Sequence, residues 1–184
     1  MKRVSETIIL NNVRCSFVFA TKTNKHEKYQ IQPLIPKDSE LAKKLKAAQT
    51  RIAKAAFGDA VKAARLKLPL RDGDEERDGN EYEGMYFLNA NSGNPPGIVN
   101  RFGKAASDVE IDEQCYSGAV FTVSISLYSF DSKDGGKPGV AAGFNNLMLR
   151  GGKGERMDGR KSAVSEFAEF TEDGDSDDEF DDLD

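Results

Sequence analysis

Apolar and polar positions change period twice along this chain, and each change marks a different kind of element. Residues 7–20, Thr-Ile-Ile-Leu-Asn-Asn-Val-Arg-Cys-Ser-Phe-Val-Phe-Ala, are dense in β-branched and aromatic side chains. From Val13 onward they alternate, with Val13, Cys15, Phe17 and Phe19 on one face and Arg14 and Ser16 on the other. That pattern predicts a half-buried strand with a basic outer face. A second extended piece follows at 29–34, ended by Pro33 and Pro36. The period then lengthens: Leu41, Leu45, Ala48, Ile52 and Ala55 recur at helical spacing behind a cap at Asp38 or Ser39. Gly58-Asp59 breaks this helix, and residues 60–66 predict a second one that Pro69 must stop. The helical insertion therefore spans about residues 38–66.

Alternation returns in the second half. Residues 84–90 read as a strand, 91–97 as a loop by composition, and 98–102 as a short extended piece. The longest β pattern is 118–130. There Phe121, Val123, Ile125 and Leu127 form one face, and Thr122, Ser124, Ser126 and Tyr128 the other, with Phe130 in the same phase. Residues 131–139 are a flexible hairpin-like connection, and 140–150 a final strand. The body is thus mainly β, antiparallel, with one helical insertion. Phe17, Phe19, Phe87 and Phe121 belong to its core by this pattern.

Charge adds what periodicity cannot. The 184 residues carry a formal −5, but residues 166–184 hold eleven acids and no base. The remaining 165 residues have 20 acids against 26 bases, so the total divides into +6 on the body and −11 on a tail. Like charges and few apolar groups predict that this tail stays disordered on its own. Phe167, Phe170, Phe180 and Leu183 punctuate it, which suits an interaction segment better than a mere solubiliser. Residues 151–165, rich in glycine and base, read as a linker between a 1–150 domain and the 166–184 tail. Within the body, residues 37–71 hold ten bases and three acids.

Catalytic signatures are missing. His26 is the only histidine and sits among Lys22, Lys25 and Lys28. Gly151-Gly-Lys-Gly-Glu-Arg156 lacks the spacing of a phosphate loop. Asp72, Asp74, Glu76, Asp78, Asn80 and Glu83 fall at calcium-loop offsets, but Arg77 stands where that turn needs glycine. Two cysteines, Cys15 and Cys115, make neither a disulfide framework nor a zinc site. No apolar run approaches a membrane span, and the first residues show no secretory pattern. The expectation is a non-enzymatic protein of a reducing compartment, without metal or cofactor.

A binding surface fits better. Rings stack on unpaired bases while lysine and arginine follow phosphates. Tyr86, Tyr116, Tyr128 and Phe130 are the stacking candidates, with core packing as the alternative for each. Arg14, Lys43, Lys44, Arg51, Arg101, Lys104 and Arg150 are the candidate phosphate contacts.

The order of several pieces resembles a phage-encoded family of single-stranded DNA-binding proteins with an OB fold. They are Leu68-Pro-Leu-Arg-Asp-Gly-Asp74, Gly84-Met-Tyr-Phe-Leu-Asn-Ala-Asn91, Pro95-Pro-Gly-Ile-Val99, Cys115-Tyr-Ser-Gly-Ala-Val-Phe121 and Gly139-Val-Ala-Ala-Gly-Phe-Asn-Asn-Leu147, within roughly residues 5–150. The acidic end is similar to the C-termini of other replication single-strand binders, although this chain ends Leu183-Asp184 rather than on phenylalanine. The resemblance implies an OB-like antiparallel barrel that coats single strands in phage replication or recombination, in the cytoplasm of a bacterial host. It also implies that Asp177, Asp178, Glu179, Phe180, Asp181, Asp182, Leu183 and Asp184 mask the groove and recruit replication or recombination proteins. Two alternatives stay open: a protein-interaction module whose tail mimics DNA, and an RNA binder, since stacking and phosphate contact do not separate the two sugars. No oligomeric state is specified.

Overall fold

A computed structural model describes residues 1–59, 62, 65–161 and 163–172. Its centre is a closed ring of five strands. These are β1 (Ser5–Phe19), β2 (Tyr29–Pro36), β5 (Ala90–Ser92), β8 (Gly139–Leu149) and β7 (Val120–Phe130), joined in the order β1-β7-β8-β5-β2 with β2 returning to β1. Two short strands, β3 (Arg71–Asp72) and β4 (Met85–Phe87), extend the β2 side, and β6 (Gly97–Val99) lies along β8. The expectation of an antiparallel barrel needs correction. β5 and β6 both run parallel to β8, so the barrel is mixed.

Closure depends on β1, which pairs with β7 along its first half and with β2 along its second. Register shifts between Leu10 and Val13 and between Ser16 and Phe19 bend it, as bulges do. Asn12 and Phe17 sit at these bends with φ of 50° and 47°. The second bend overturns the expected alternation. Val13 and Cys15 point inward, but Ser16 is buried, Phe17 is 46% exposed and Phe19 is only half-buried. Phe17 and Phe19 are therefore not core residues. Phe87 and Phe121 are, both fully buried, and truncating either would cost about 3–5 kcal/mol. On β7 the expected inward face, Phe121, Val123, Ile125 and Leu127, is buried throughout.

Helix α1 (Glu40–Phe57) packs on the barrel with Ala42, Leu45, Ala48, Ile52, Ala53 and Ala56 inward, whereas Ala55 faces solvent. Ser39 is its N-cap, accepting from the Ala42 N–H at 3.1 Å. Of the second helix expected over 60–66, residues 60, 61, 63 and 64 lie outside the described residues. The Arg65 N–H closes a turn on the Lys62 carbonyl.

Three further segments depart from expectation. Residues 71–83 are not simply an exposed acidic loop. They form β3, a short helix α2 (Gly73–Glu76) and a 3-10 turn (Asn80–Tyr82) that sets Tyr82 against Leu34 and Phe87 in a small second core. The strand expected over 84–90 breaks between β4 and β5, so that Leu88 is buried and Asn89 turns toward β2. Helix α3 (Asp108–Gln114) was not foreseen, though Ser107-x-x-Glu110 is a legible capping box, with both reciprocal hydrogen bonds formed.

The glycine-rich stretch after β8 stays on the body for several residues. The Val120 N–H donates to the Lys153 carbonyl and the Met157 N–H to the Ser117 carbonyl. Gly118, at φ 103°, lies so close to the Glu155 carbonyl that any Cβ would collide with it. Beyond this lie α4 (Ala163–Glu166) and a 3-10 turn (Ala168–Phe170) that leaves Phe167 and Phe170 exposed. No described helix is long and apolar enough to cross a membrane.

Candidate nucleic-acid interface

The bend at Phe17 and the turn joining β1 to β2 create a cavity of about 540 Å³ on the outside of the barrel. Phe17 and Phe19 form its aromatic wall, Gln30, Gln32 and Asn89 its polar floor, and Asn24, Lys25, His26 and Arg77 its rim. A bulky residue at positive φ is uncommon, and such conformations gather where a ligand is held.

The turn is built by Asn24, whose Oδ1 accepts from the N–H groups of His26 and Lys28 at 2.9 and 3.1 Å. Its Nδ2 donates to Gln30 Oε1 at 2.6 Å. Lys22, Lys25 and Lys28 project from this turn, and among the described residues no carboxylate pairs with them.

A row of outward positions leads away from the cavity. Phe19 pairs with Gln30, Gln30 with Asn91, Asn91 with Gly143, and Gly143 with Ser126. Gly143 adds no side chain to the row, and its ideal Cβ position lies in ordinary contact, 3.6 Å, with the Tyr128 ring. Tyr128, 39% exposed, and half-buried Phe130 stand at the far side. They border a second cavity of about 480 Å³ together with Arg3 and Lys133. Lys133 belongs to the β7–β8 connection.

The structure thus brings Tyr128 and Phe130 together and separates them from the other two tyrosines. Tyr86 is held by Lys46, whose Nζ donates to its hydroxyl at 2.6 Å and lies 4.4 Å from the ring centre. The Tyr116 hydroxyl donates to the carbonyls of Gly152 and Gly154, and Arg156 covers its ring at 4.4 Å.

The candidate phosphate contacts divide similarly. Arg14 donates to the backbone carbonyls of Gly118 and Glu155 at 3.0 and 2.7 Å, tying the 151–157 stretch to β1. Arg51 forks onto the Glu6 carboxylate, and Arg150 donates to Thr122 Oγ1 and Asn11 Oδ1. Lys43 pairs with Glu40. Lys44 is exposed on α1. Arg101 and Lys104 occupy the turn after β6, where Arg101 lies 4.8 Å over Phe102, a ring 72% exposed. The tail residues Asp177, Asp178, Glu179, Phe180, Asp181, Asp182, Leu183 and Asp184 lie outside the described residues.

Phe17, Phe19, Lys22, Lys25, Gln30, Arg77 and Asn89 are the residues that sequence reasoning misses. One signal was available: four basic or imidazole side chains crowd the eight-residue link Thr21–Lys28 between two strands.

Ionisation elsewhere supports the fold. Lys37 bridges Asp72 and Asp74 at 2.5 and 2.6 Å, which lowers both carboxyls and raises the amine. Burial, with Asp112 nearby, pushes the Cys115 thiol up to about 11, and burial raises Cys15 well above its ordinary value. Neither thiol is an activated nucleophile.

A family model described as the ssDNA-binding protein of Enterobacter phage Enc34 matches residues 6–180. The solved single-stranded DNA-binding protein of bacteriophage Enc34 is 26% identical to this chain, with a TM-score of 0.68, covering 88% of this chain and 89% of its own. The same phage protein solved in complex with ssDNA is also 26% identical, at TM-score 0.67, covering 82% and 89%. The gp2.5 single-stranded DNA-binding protein of bacteriophage T7 covers 93% of this chain and 97% of its own at TM-score 0.56; at 12% identity it speaks to the fold alone. The comparison with curated proteins finds no match.

Proposed function

The chain belongs to the phage ssDNA-binding protein family typified by Enterobacter phage Enc34, and on that premise we propose that it coats single-stranded DNA without requiring a defined sequence. The observation that carries this reading is the uninterrupted outward row from Phe17 and Phe19 across Gln30, Asn91 and Gly143 to Tyr128. Aromatic rings stand at both ends, and lysines without an acidic partner among the described residues flank it on the β1–β2 turn. Rings stack on bases of any identity, while the lysines follow the phosphates.

The barrel is read as an OB fold. Its ring order, its parallel β5–β8 closure and the position of the row over β2 and β5, between the β1–β2 and β7–β8 connections, all agree with where that fold takes oligonucleotides. Arg14, Arg51, Arg150, Tyr86 and Tyr116 are left out of the path because protein groups already engage them. Arg101, Phe102 and Lys104 extend it as a separate basic tip.

The acidic segment 166–184 competes with DNA for the lysines of the β1–β2 turn and, once displaced, docks replication or recombination proteins of a bacterial host cell. A single strand wins because stacking adds to its phosphate contacts, which carboxylates cannot match.

Labelled oligo-dT, oligo-rU and duplex DNA titrated across a salt series test the reading. Preference for the DNA single strand is expected, with a log–log slope of about −0.7 per phosphate contact. Preference for duplex would overturn it, and preference for oligo-rU would assign the surface to RNA. Deleting residues 166–184 is expected to tighten binding, and unchanged affinity at low salt would remove the masking role.

A further inference from the structure

The floor of the Phe17 cavity is a chain of side-chain amides whose polarity is fixed from one end. Backbone N–H groups can only donate, so the Asn24 oxygen must face those of His26 and Lys28, and its Nδ2 must face Gln30. Gln30 accepts through Oε1 and therefore presents Nε2 to Asn89 Oδ1 at 3.4 Å. Gln32 Nε2 reaches the same oxygen at 2.7 Å, and Gln32 Oε1 takes the hydroxyls of Ser16 and Tyr82 at 2.7 and 2.6 Å.

The oxygens of Asn24, Asn89 and Gln32 thus have both lone pairs occupied. Among the described residues, both N–H groups of Asn89 and the second N–H groups of Asn24, Gln30 and Gln32 have no partner, against one lone pair on Gln30. Beside them Arg77 stacks 4.9 Å from the Phe87 ring, and its buried Nε has no hydrogen-bond partner among the described residues. A wall with this balance donates.

We infer that the cavity is a nucleobase pocket that favours thymine and guanine, which present oxo groups where adenine presents its amino group, over adenine, which would meet donors with a donor. The inference rests on the single-strand reading above and adds to it a graded preference at one position of the bound strand. Phe17 and Phe19 supply stacking that ignores base identity, and Asn89 with Arg77 supplies the discrimination. Thymine O4 and the O6 and N7 atoms of guanine are acceptors, whereas the corresponding edge of adenine sets its N6 donor beside N7. In a pocket open to solvent the preference is expected at the low end for such contacts, about five- to tenfold.

The test is the ratio of affinities of the full-length protein for oligo-dT and oligo-dA at fixed salt, compared between wild type and Asn89→Asp. The substitution keeps the oxygen that accepts from Gln30 and Gln32 but replaces the free donors with an acceptor. Its negative charge weakens both oligonucleotides alike, and self-stacking of oligo-dA belongs to the DNA, so both cancel in the ratio. The expected result is a dT-to-dA ratio lowered at least about fivefold. Arg77→Lys keeps the charge, removes Nε and the fork, and is expected to lower the ratio in the same direction; it decides the matter alone if a thermal melt shows Asn89→Asp unfolded. A ratio unchanged in folded variants, with wild type binding both oligonucleotides, overturns this inference and leaves the single-strand reading standing. Failure of wild type to bind either overturns both.

Discussion

The turn between β1 and β2 and the surface around α1 are both rich in lysine, yet their cations do different things. Around α1, Lys43 sits on Glu40, Lys46 on the Tyr86 hydroxyl and Arg51 on Glu6, which leaves Lys44 and Lys54 as its exposed cations without an acidic partner among the described residues. Arg14 and Arg150 are likewise tied to oxygens of neighbouring strands. On the turn, Lys22, Lys25 and Lys28 face solvent with no acidic partner among the described residues. A polyanion gains affinity by releasing counterions from its own phosphates, and a cation already matched by a carboxylate contributes little to that exchange. The aromatic residues divide the same way. Tyr86 and Tyr116 have their faces and hydroxyls occupied by protein, whereas Phe17 is turned outward by a backbone bend. A binding surface is marked by unsatisfied capacity, and residue type alone does not reveal it.

Truncating aromatics on each side breaks this contrast most directly. Replacing Phe17 and Phe19 together by alanine is expected to weaken oligo-dT binding by about 10- to 100-fold, since a base stacked on a ring is worth about 1–3 kcal/mol. Tyr86→Leu and Tyr116→Leu, which remove rings that protein groups already cover, are expected to change it less than about twofold in variants that a thermal melt shows folded. Fluorescence anisotropy at one salt concentration measures all of these, and comparable losses on both sides would erase the distinction.

Arg14→Met comes next, and its effect is expected on stability. Loss of two charge-assisted hydrogen bonds to backbone carbonyls costs about 2 kcal/mol, or a fall in Tm of about 4–8 °C for a domain of this size. The salt dependence of DNA binding should stay as it was. A changed slope at unchanged Tm would return Arg14 to the DNA surface.

Smaller still is the effect of a single cation. Lys25→Gln is expected to reduce the magnitude of the log–log salt slope by about 0.7, while Lys43→Gln leaves it unchanged. Salt titrations of the two variants side by side decide whether pairing with Glu40 silences a lysine.

The smallest effect concerns the bridge of Lys37 with Asp72 and Asp74, the extreme case of a compensated cation. Both carboxyls are lowered in the folded protein, chiefly by their hydrogen bonds to Lys37. Their stabilisation is therefore complete above the ordinary aspartate range, near pH 3.9, and is lost as pH falls through the lower folded values. Thermal melts of wild type and Lys37→Met should differ at neutral pH and converge below about pH 4. A gap independent of pH would mean that Lys37 acts through its aliphatic stem.

Much of the barrel is legible in the sequence because one phase persists along whole strands. Phe121, Val123, Ile125 and Leu127 never leave the inner face, and Leu45, Ala48 and Ile52 keep to one side of α1. Phe17 and Phe19 are misread because alternation carries no sign of a residue at positive φ, which reverses the faces beyond it. The parallel pairing of β5 with β8 is equally silent, since a three-residue strand has no pattern of its own. The cavity floor joins Asn24, Gln30, Gln32 and Asn89 from separate segments, and amides carry no spacing rule that would unite them. Tyr128 and Phe130 come together on the surface as their shared strand face, two residues apart, predicts.

The dual pairing of β1 has a consequence for how the chain reaches its fold. Ser5 pairs with Tyr128 and Arg14 with Val120, so β1 leaves a ribosome and waits for a partner strand made more than a hundred residues later. Until then its partner edge is open, and the hairpin with β2 is the only neighbour within early reach. Contacts of such long range slow folding, which places this barrel among domains that fold in about milliseconds to seconds. Stopped-flow refolding followed through the tyrosines should show its main phase in that range. Residues 5–10 should gain hydrogen-exchange protection together with β7 and β8, after the segment Arg14–Phe19 that pairs with β2.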